Sequence, residues 1–193
     1  MQRRALKELN RYRAIGTSRA LVVAAAGSGK TYLAAFDALN FNPKRLLYIV
    51  HEGSILRKSL ETFQDVFGSS VTCGIYSGTS KESDADFVFA TNITMCKSLE
   101  LFARDEFDYI IIDECHHAAA ETYKRIIAYF EPEFLLGLTA TPERMFERLQ
   151  RVVLIHSAFT SVCFSRRPSL IILAKNSFWF QKLQYFYDTL SQR

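Results

Sequence analysis

Two short segments carry residue types that can handle a phosphate ester and a metal ion: "AAAGSGKT" at 24–31 and "DECHH" at 113–117. In the first, small residues and two glycines precede a lysine and a threonine at what reads as a helix start. With so little side-chain bulk, backbone N–H groups can turn toward one anion, and the helix N-terminus adds its positive end. The pattern predicts a phosphate cradle over Ala26, Gly27, Ser28 and Gly29, with Lys30 reaching the β- and γ-phosphates of ATP and the Thr31 hydroxyl on Mg2+. The plain alternative, a glycine-rich turn with no ligand, is disfavoured by the apolar run before it and the helical pattern after it. The second segment offers two adjacent carboxylates. Asp113 is expected beside the Mg2+ shell, and Glu114 to orient or deprotonate an attacking water. Carboxylates here could instead cap the following helix. The cradle about 80 residues upstream tips the reading toward catalysis by Lys30, Asp113 and Glu114.

Such groups converge only if a fold brings their segments together. Apolar or β-branched runs at 20–24, 45–50, 86–91, 108–113 and 134–140 read as strands. Between them, "TYLAAFDAL", "SILRKSLETFQDVF" and "AAAETYKRIIAYF" space their apolar residues for helices. The alternation predicts an α/β fold, a mainly parallel sheet with helices on both faces. The run "YIIID" fits a strand buried on both sides, and in such sheets ligands bind at the carboxyl ends of the strands. The polar run between Tyr76 and Asp86 reads as the clearest loop, and no internal repeat is present.

The residues now carry a resemblance. AxxGxGKT at 24–31, DECH at 113–116 and TATP at 139–142, in that order, resemble motifs I, II and III of superfamily 2 helicases. The chain is similar in particular to type III restriction-enzyme helicase subunits and bacterial DEAD/DEAH-box helicase-like proteins, a branch that tolerates Ala24 where the full pattern has glycine. The resemblance runs from about Gln2 to Met145 and implies the first of two RecA-like domains, three-layered and P-loop-containing. It implies Gln2 as an adenine-reading glutamine, against a polar residue at a frayed terminus. It also implies His116, Thr139 and Thr141 as links between the ATP site and strand binding, with His117 a solvated helix residue. "YIVHEGSILRKSLETF" resembles the motif that touches the nucleic-acid backbone, which nominates His51 and Ser54, although Glu52 stands where a basic residue is common. "FATNITM" resembles the next strand-end motif with Ile93 in place of a glutamine, leaving Thr94 as a phosphate contact or a helix N-cap.

The function implied is the ATP-binding domain of a superfamily 2 helicase or translocase, with ATP and Mg2+ as cofactors and nucleic acid as partner, DNA ahead of RNA. Weak hydrolysis is expected in isolation, because no arginine finger is identifiable and a second RecA-like domain or partner would have to deliver it. The alternative reading is a non-catalytic nucleotide-dependent binding or regulatory module, or a truncated remnant. Composition is silent on nucleic acid: of the net charge of +4, residues 1–145 contribute 17 basic against 18 acidic residues. Residues 146–193 differ, with seven basic and nine aromatic residues, and read as a separate extension: packed on the sheet, a stacking surface for single strands, or a divergent end. Four scattered cysteines form no CxxC pair, and no run approaches a membrane span, so a cytoplasmic protein with no membrane partner is expected.

Overall fold

The computed structural model of the chain describes residues 2–115, 121–140, 153–156 and 171–174. Each apolar run becomes a strand: β1 (Arg19–Val23), β2 (Leu46–Val50), β4 (Phe87–Thr91), β5 (Tyr109–Ile112) and β6 (Phe134–Thr139), with β3 (Cys73–Tyr76) ahead of β4. The strands β7 (Val153–His156) and β8 (Ile171–Ala174) follow. The helices are α1 (Gln2–Ala14), α2 (Lys30–Phe41), α3 (Gly53–Phe67), α4 (Asn92–Lys97) and α5 (Glu121–Tyr129). The eight strands form one sheet in the order β3-β4-β2-β5-β6-β1-β8-β7. Every paired neighbour is parallel.

Side-chain alternation sorts the core into two layers, because successive residues of a strand point to opposite faces. Ala20, Val22, Leu46, Tyr48, Phe87, Phe89, Tyr109, Ile111, Leu136 and Leu138 face α1, α2 and α3. Leu21, Val23, Leu47, Ile49, Val88, Ala90, Ile110 and Ile112 face the other way, against α4 and α5. The three-layer arrangement expected from the alternating pattern is therefore present. Both layers bury apolar side chains almost completely, which accounts for the unbroken apolar runs of β2 and β5.

Two elements depart from expectation. The N-terminal segment, charged and readable as frayed, is a helix of 13 residues that buries Leu9 and Tyr12. Its far end is fixed by charge: the Arg13 guanidinium donates to both Asp37 oxygens at 2.7 Å, and the Tyr109 hydroxyl donates to Oδ2 at 2.6 Å. The Phe134 ring lies 4.7 Å under the same guanidinium. Asp37 is fully buried, and this fork neutralises it while tying α1 to α2 and to the strands beneath. The other departure is β3, whose short sequence "CGIY" carries too weak a pattern to read as a strand. The polar run after it is the expected loop, held by Asp86, which accepts from the Thr72 N–H and hydroxyl at 2.8 Å each. Residues 146–152, 157–170 and 175–193, with the aromatic cluster expected there, lie outside the described residues.

Candidate active site

The loop after β1 is anchored before it turns: the Ala24 N–H donates to the Thr139 carbonyl at the end of β6, 3.0 Å away. It then reverses through Gly27 and Gly29, whose φ angles of +72° and +80° are costly for any residue with a Cβ. Gly29 is also the N-cap of α2 and supplies no capping side chain, so the N–H groups of the first turn face the loop's concavity without a competing oxygen from that residue. Within the loop, the Ser28 hydroxyl oxygen is buried and has no hydrogen-bond partner among the described residues.

Lys30 opens α2 and folds back over the loop. Its ammonium lies 3.3 Å from the Ala24 carbonyl and 3.9 Å from a Glu114 carboxylate oxygen, with the side chain only 9 % exposed. Lysine is seldom buried to that degree without close compensation, and one carbonyl with a long ion pair is modest compensation. A cation held this way, an orphaned hydroxyl and two left-handed glycines fit an anion such as a triphosphate. Gln2 reaches the same loop, its side-chain amide donating to the Gly29 carbonyl at 3.3 Å. A Cβ on Gly29 would come within 2.6 Å of that amide nitrogen.

Facing the loop, Asp113 continues the side-chain alternation of β5 on the α2 face. Its Oδ1 accepts from the Glu114 N–H at 2.9 Å and its Oδ2 from the Tyr48 hydroxyl at 2.8 Å. Burial pushes the Asp113 carboxyl above the usual carboxylate range, although the Tyr48 and Glu114 donors and the Lys30 charge pull the other way. Glu114 has φ +48°, a conformation few non-glycine residues adopt, and this tight turn brings its carboxylate toward Lys30. Behind it Cys115 packs over β6. A Cβ on Gly137 would sit 3.1 Å from its sulfur and 3.0 Å from a Leu21 methyl, a tight fit that either neighbour would have to relieve by a small shift.

Tyr48 was not legible as a site residue. Set in "LLYIV", it reads as core, and its ring does pack against Phe63 and Phe89. The signal that could have exposed it is parity: Tyr48 and Asp113 share a sheet face on neighbouring strands, within diagonal reach.

The remaining expected residues divide. Val50, His51, Glu52, Ile55, Asp113 and Glu114 line a small cleft of about 70 Å³, so His51 belongs to the cluster. Ser54 is exposed one turn on and donates to Glu52 at 3.4 Å. The N-cap of α4 is Thr91, which accepts from the Thr94 N–H and donates to the Thr94 hydroxyl at 2.9 Å; the cap expected at Thr94 belongs three residues earlier. Thr139 is buried beneath the loop's anchor. His116, His117 and Thr141 lie outside the described residues. A larger cavity, about 270 Å³, opens at the opposite ends of the strands beside Arg19, Ile110 and Leu135, away from all these groups.

The family profile described as "Type III restriction enzyme, res subunit" matches residues 1–144, the span that holds this lysine and threonine at one strand tip and the aspartate and glutamate at another. The chain belongs to this family. Its sequence is similar to the type I restriction enzyme EcoAI endonuclease subunit of Escherichia coli, with 30 % identity over 146 residues, 68 % of this chain and 18 % of that protein. It is also similar to the "Probable helicase A859L" of African swine fever virus, at 30 % identity over 148 residues, 65 % of this chain and 17 % of that protein. The chain thus spans under a fifth of the length of these relatives. The fold of the family member matches the Sulfolobus solfataricus SWI2/SNF2 ATPase core in complex with double-stranded DNA, with a TM-score of 0.58 at 20 % identity, covering 73 % of this chain and 31 % of that one. The expected RecA-like architecture of superfamily 2 helicase domains stands.

Proposed function

We propose that this chain is the ATP-binding unit of a superfamily 2 helicase or translocase, coupling Mg2+-ATP binding and hydrolysis to nucleic-acid binding. The single observation that carries the reading is the approach of Lys30 to Glu114, 3.9 Å apart across two strand tips, with Asp113 held by Tyr48 behind them. The N–H groups of 26–31 and Lys30 would hold the triphosphate, Thr31 and Asp113 the Mg2+, and Gln2 would lie beside the base. Bound Mg2+ would supply charge neutralisation on the β- and γ-phosphate oxygens. Lys30 screens the charge that builds on those oxygens. Glu114, one-third exposed at the cleft, orients a water and takes its proton, and His51 borders the same space.

A cation on the side opposite Lys30 is worth about 10³–10⁵ in rate in related NTPases. We assign that role to an arginine of a second RecA-like domain or partner, so turnover by this chain alone is slow. The functional core is taken as 1–145 and residues 146–193 as an extension whose β7 and β8 add to the same sheet. Support for a nucleic-acid partner, with DNA preferred to RNA, comes from the DNA-bound structure of similar fold. His51, Ser54 and Thr94 are the proposed backbone contacts, and Thr139, with His116 and Thr141, the coupling set.

The test is ATPase rate with and without single- and double-stranded DNA or RNA, in wild type and Glu114→Gln. One polymer should stimulate the wild type, and the variant should lose about 10²–10⁴ of its rate, stimulated or not. Equal turnover in wild type and E114Q, or ATP binding with no hydrolysis under any polymer, would contradict the reading and favour a nucleotide-dependent binding module.

A further inference from the structure

Tyr48 holds a hydroxyl that packing does not require. Its ring is fully buried between Phe63 and Phe89, at centroid distances of 5.5 and 5.4 Å, where a phenylalanine would fill the same space. Burying a hydroxyl costs free energy unless it finds a partner. This one finds the carboxylate that also bears on the metal: it donates to Asp113 Oδ2 at 2.8 Å while the Glu114 N–H holds Oδ1 at 2.9 Å. Both oxygens are tied, so the plane of the carboxyl group is fixed. One buried hydroxyl on β2 thus holds the carboxylate at the tip of the neighbouring strand β5.

We propose that Tyr48 is a positioning residue for the divalent cation, its hydroxyl fixing the Asp113 carboxylate in the orientation that serves one Mg2+. The inference rests on the reading under Proposed function and adds to it a residue of the 48–63 segment to which the motif resemblance gives no role at the metal. Groups behind a metal ligand fix its orientation, and their loss typically costs about 10–100-fold in metal affinity.

The experiment titrates MgCl2 into the intact chain at a fixed level of a fluorescent non-hydrolysable ATP analogue and reads the Mg2+ concentration at half-maximal binding. Tyr48→Phe keeps the ring and should raise that concentration about tenfold, while binding in EDTA stays equal to wild type. Tyr109→Phe is the control, since it deletes another fully buried tyrosine hydroxyl, the one donating to Asp37; it should leave the Mg2+ midpoint in place. If Y48F does not fold, Tyr48→Met fills the same apolar space without the hydroxyl and should raise the midpoint about as far. An unmoved midpoint in the folded Y48F, or an equal rise in Y109F, overturns the inference and leaves the parent reading standing. A wild type that binds the analogue with no dependence on Mg2+ overturns both.

Discussion

Lys30, Glu114 and two aspartates show how the same few side chains acquire different tasks from their surroundings. Asp113 and Asp86 are moved in opposite directions. Burial outweighs its donors at Asp113, so the carboxyl sits above the usual range, and ionised Asp113 costs the fold stability as pH rises through that raised value. At Asp86 the Thr72 N–H and hydroxyl outweigh slight burial, and the carboxyl sits below its ordinary value. Its sign is therefore reversed: the stabilisation is complete above the unfolded value and disappears as pH falls through the depressed folded one, below about pH 4. Urea denaturation between pH 3 and 7 should show that window in the wild type and a flatter acid limb in Asp86→Asn. An unchanged acid limb in the variant would refute the assignment. The motif residues were legible because each motif combines rare residue types at fixed spacing. Tyr48 was not, since an aromatic in an aliphatic strand looks the same whether or not its hydroxyl meets a carboxylate.

The elements differ in how plainly the sequence announced them. Strands β2 and β5 are buried along their whole length and β4 and β6 are largely buried and apolar, and the helices between them repeat their apolar residues at helical spacing. Helix α1 was obscured by its charge, because Arg13 looks like one more solvated cation until Asp37 is found beneath it. That pair places Gln2 at the loop by docking the helix on α2, with Leu9 and Tyr12 as the apolar part of the contact. Arg13→Ala would leave Asp37 buried with Tyr109 as its remaining donor among the described residues. Removing one partner of such a pair costs about 3–5 kcal/mol, so urea or thermal unfolding should show a loss of that order. A loss under about 0.5 kcal/mol, the range of ordinary surface substitutions, would mean that the fork does not hold α1. The short β3 escaped notice because four residues with a central glycine carry almost no periodic signal.

At the scale of the molecule, the sheet order explains why distant motifs meet. β6 lies between β1 and β5, and its end carries Thr139, whose carbonyl receives the Ala24 N–H. The loop that carries Lys30 is thereby fastened to the strand that leads into the third motif, and the carboxylate pair stands one strand away. No helix among the described residues is long and apolar enough to cross a membrane. With the chain spanning under a fifth of the EcoAI subunit and of the viral A859L protein, the motor activity we propose calls on parts supplied from outside residues 1–145. Nucleotide capture does not. Calorimetric titration of a non-hydrolysable ATP analogue into the wild type, Lys30→Ala and Asp113→Asn, each with Mg2+ and with EDTA, therefore tests the core of the account most directly. We predict one site in the wild type, a loss of about ten- to a hundredfold for K30A in both conditions, and a loss for D113N only when Mg2+ is present. Binding that ignores both substitutions, or none in the wild type, would contradict it.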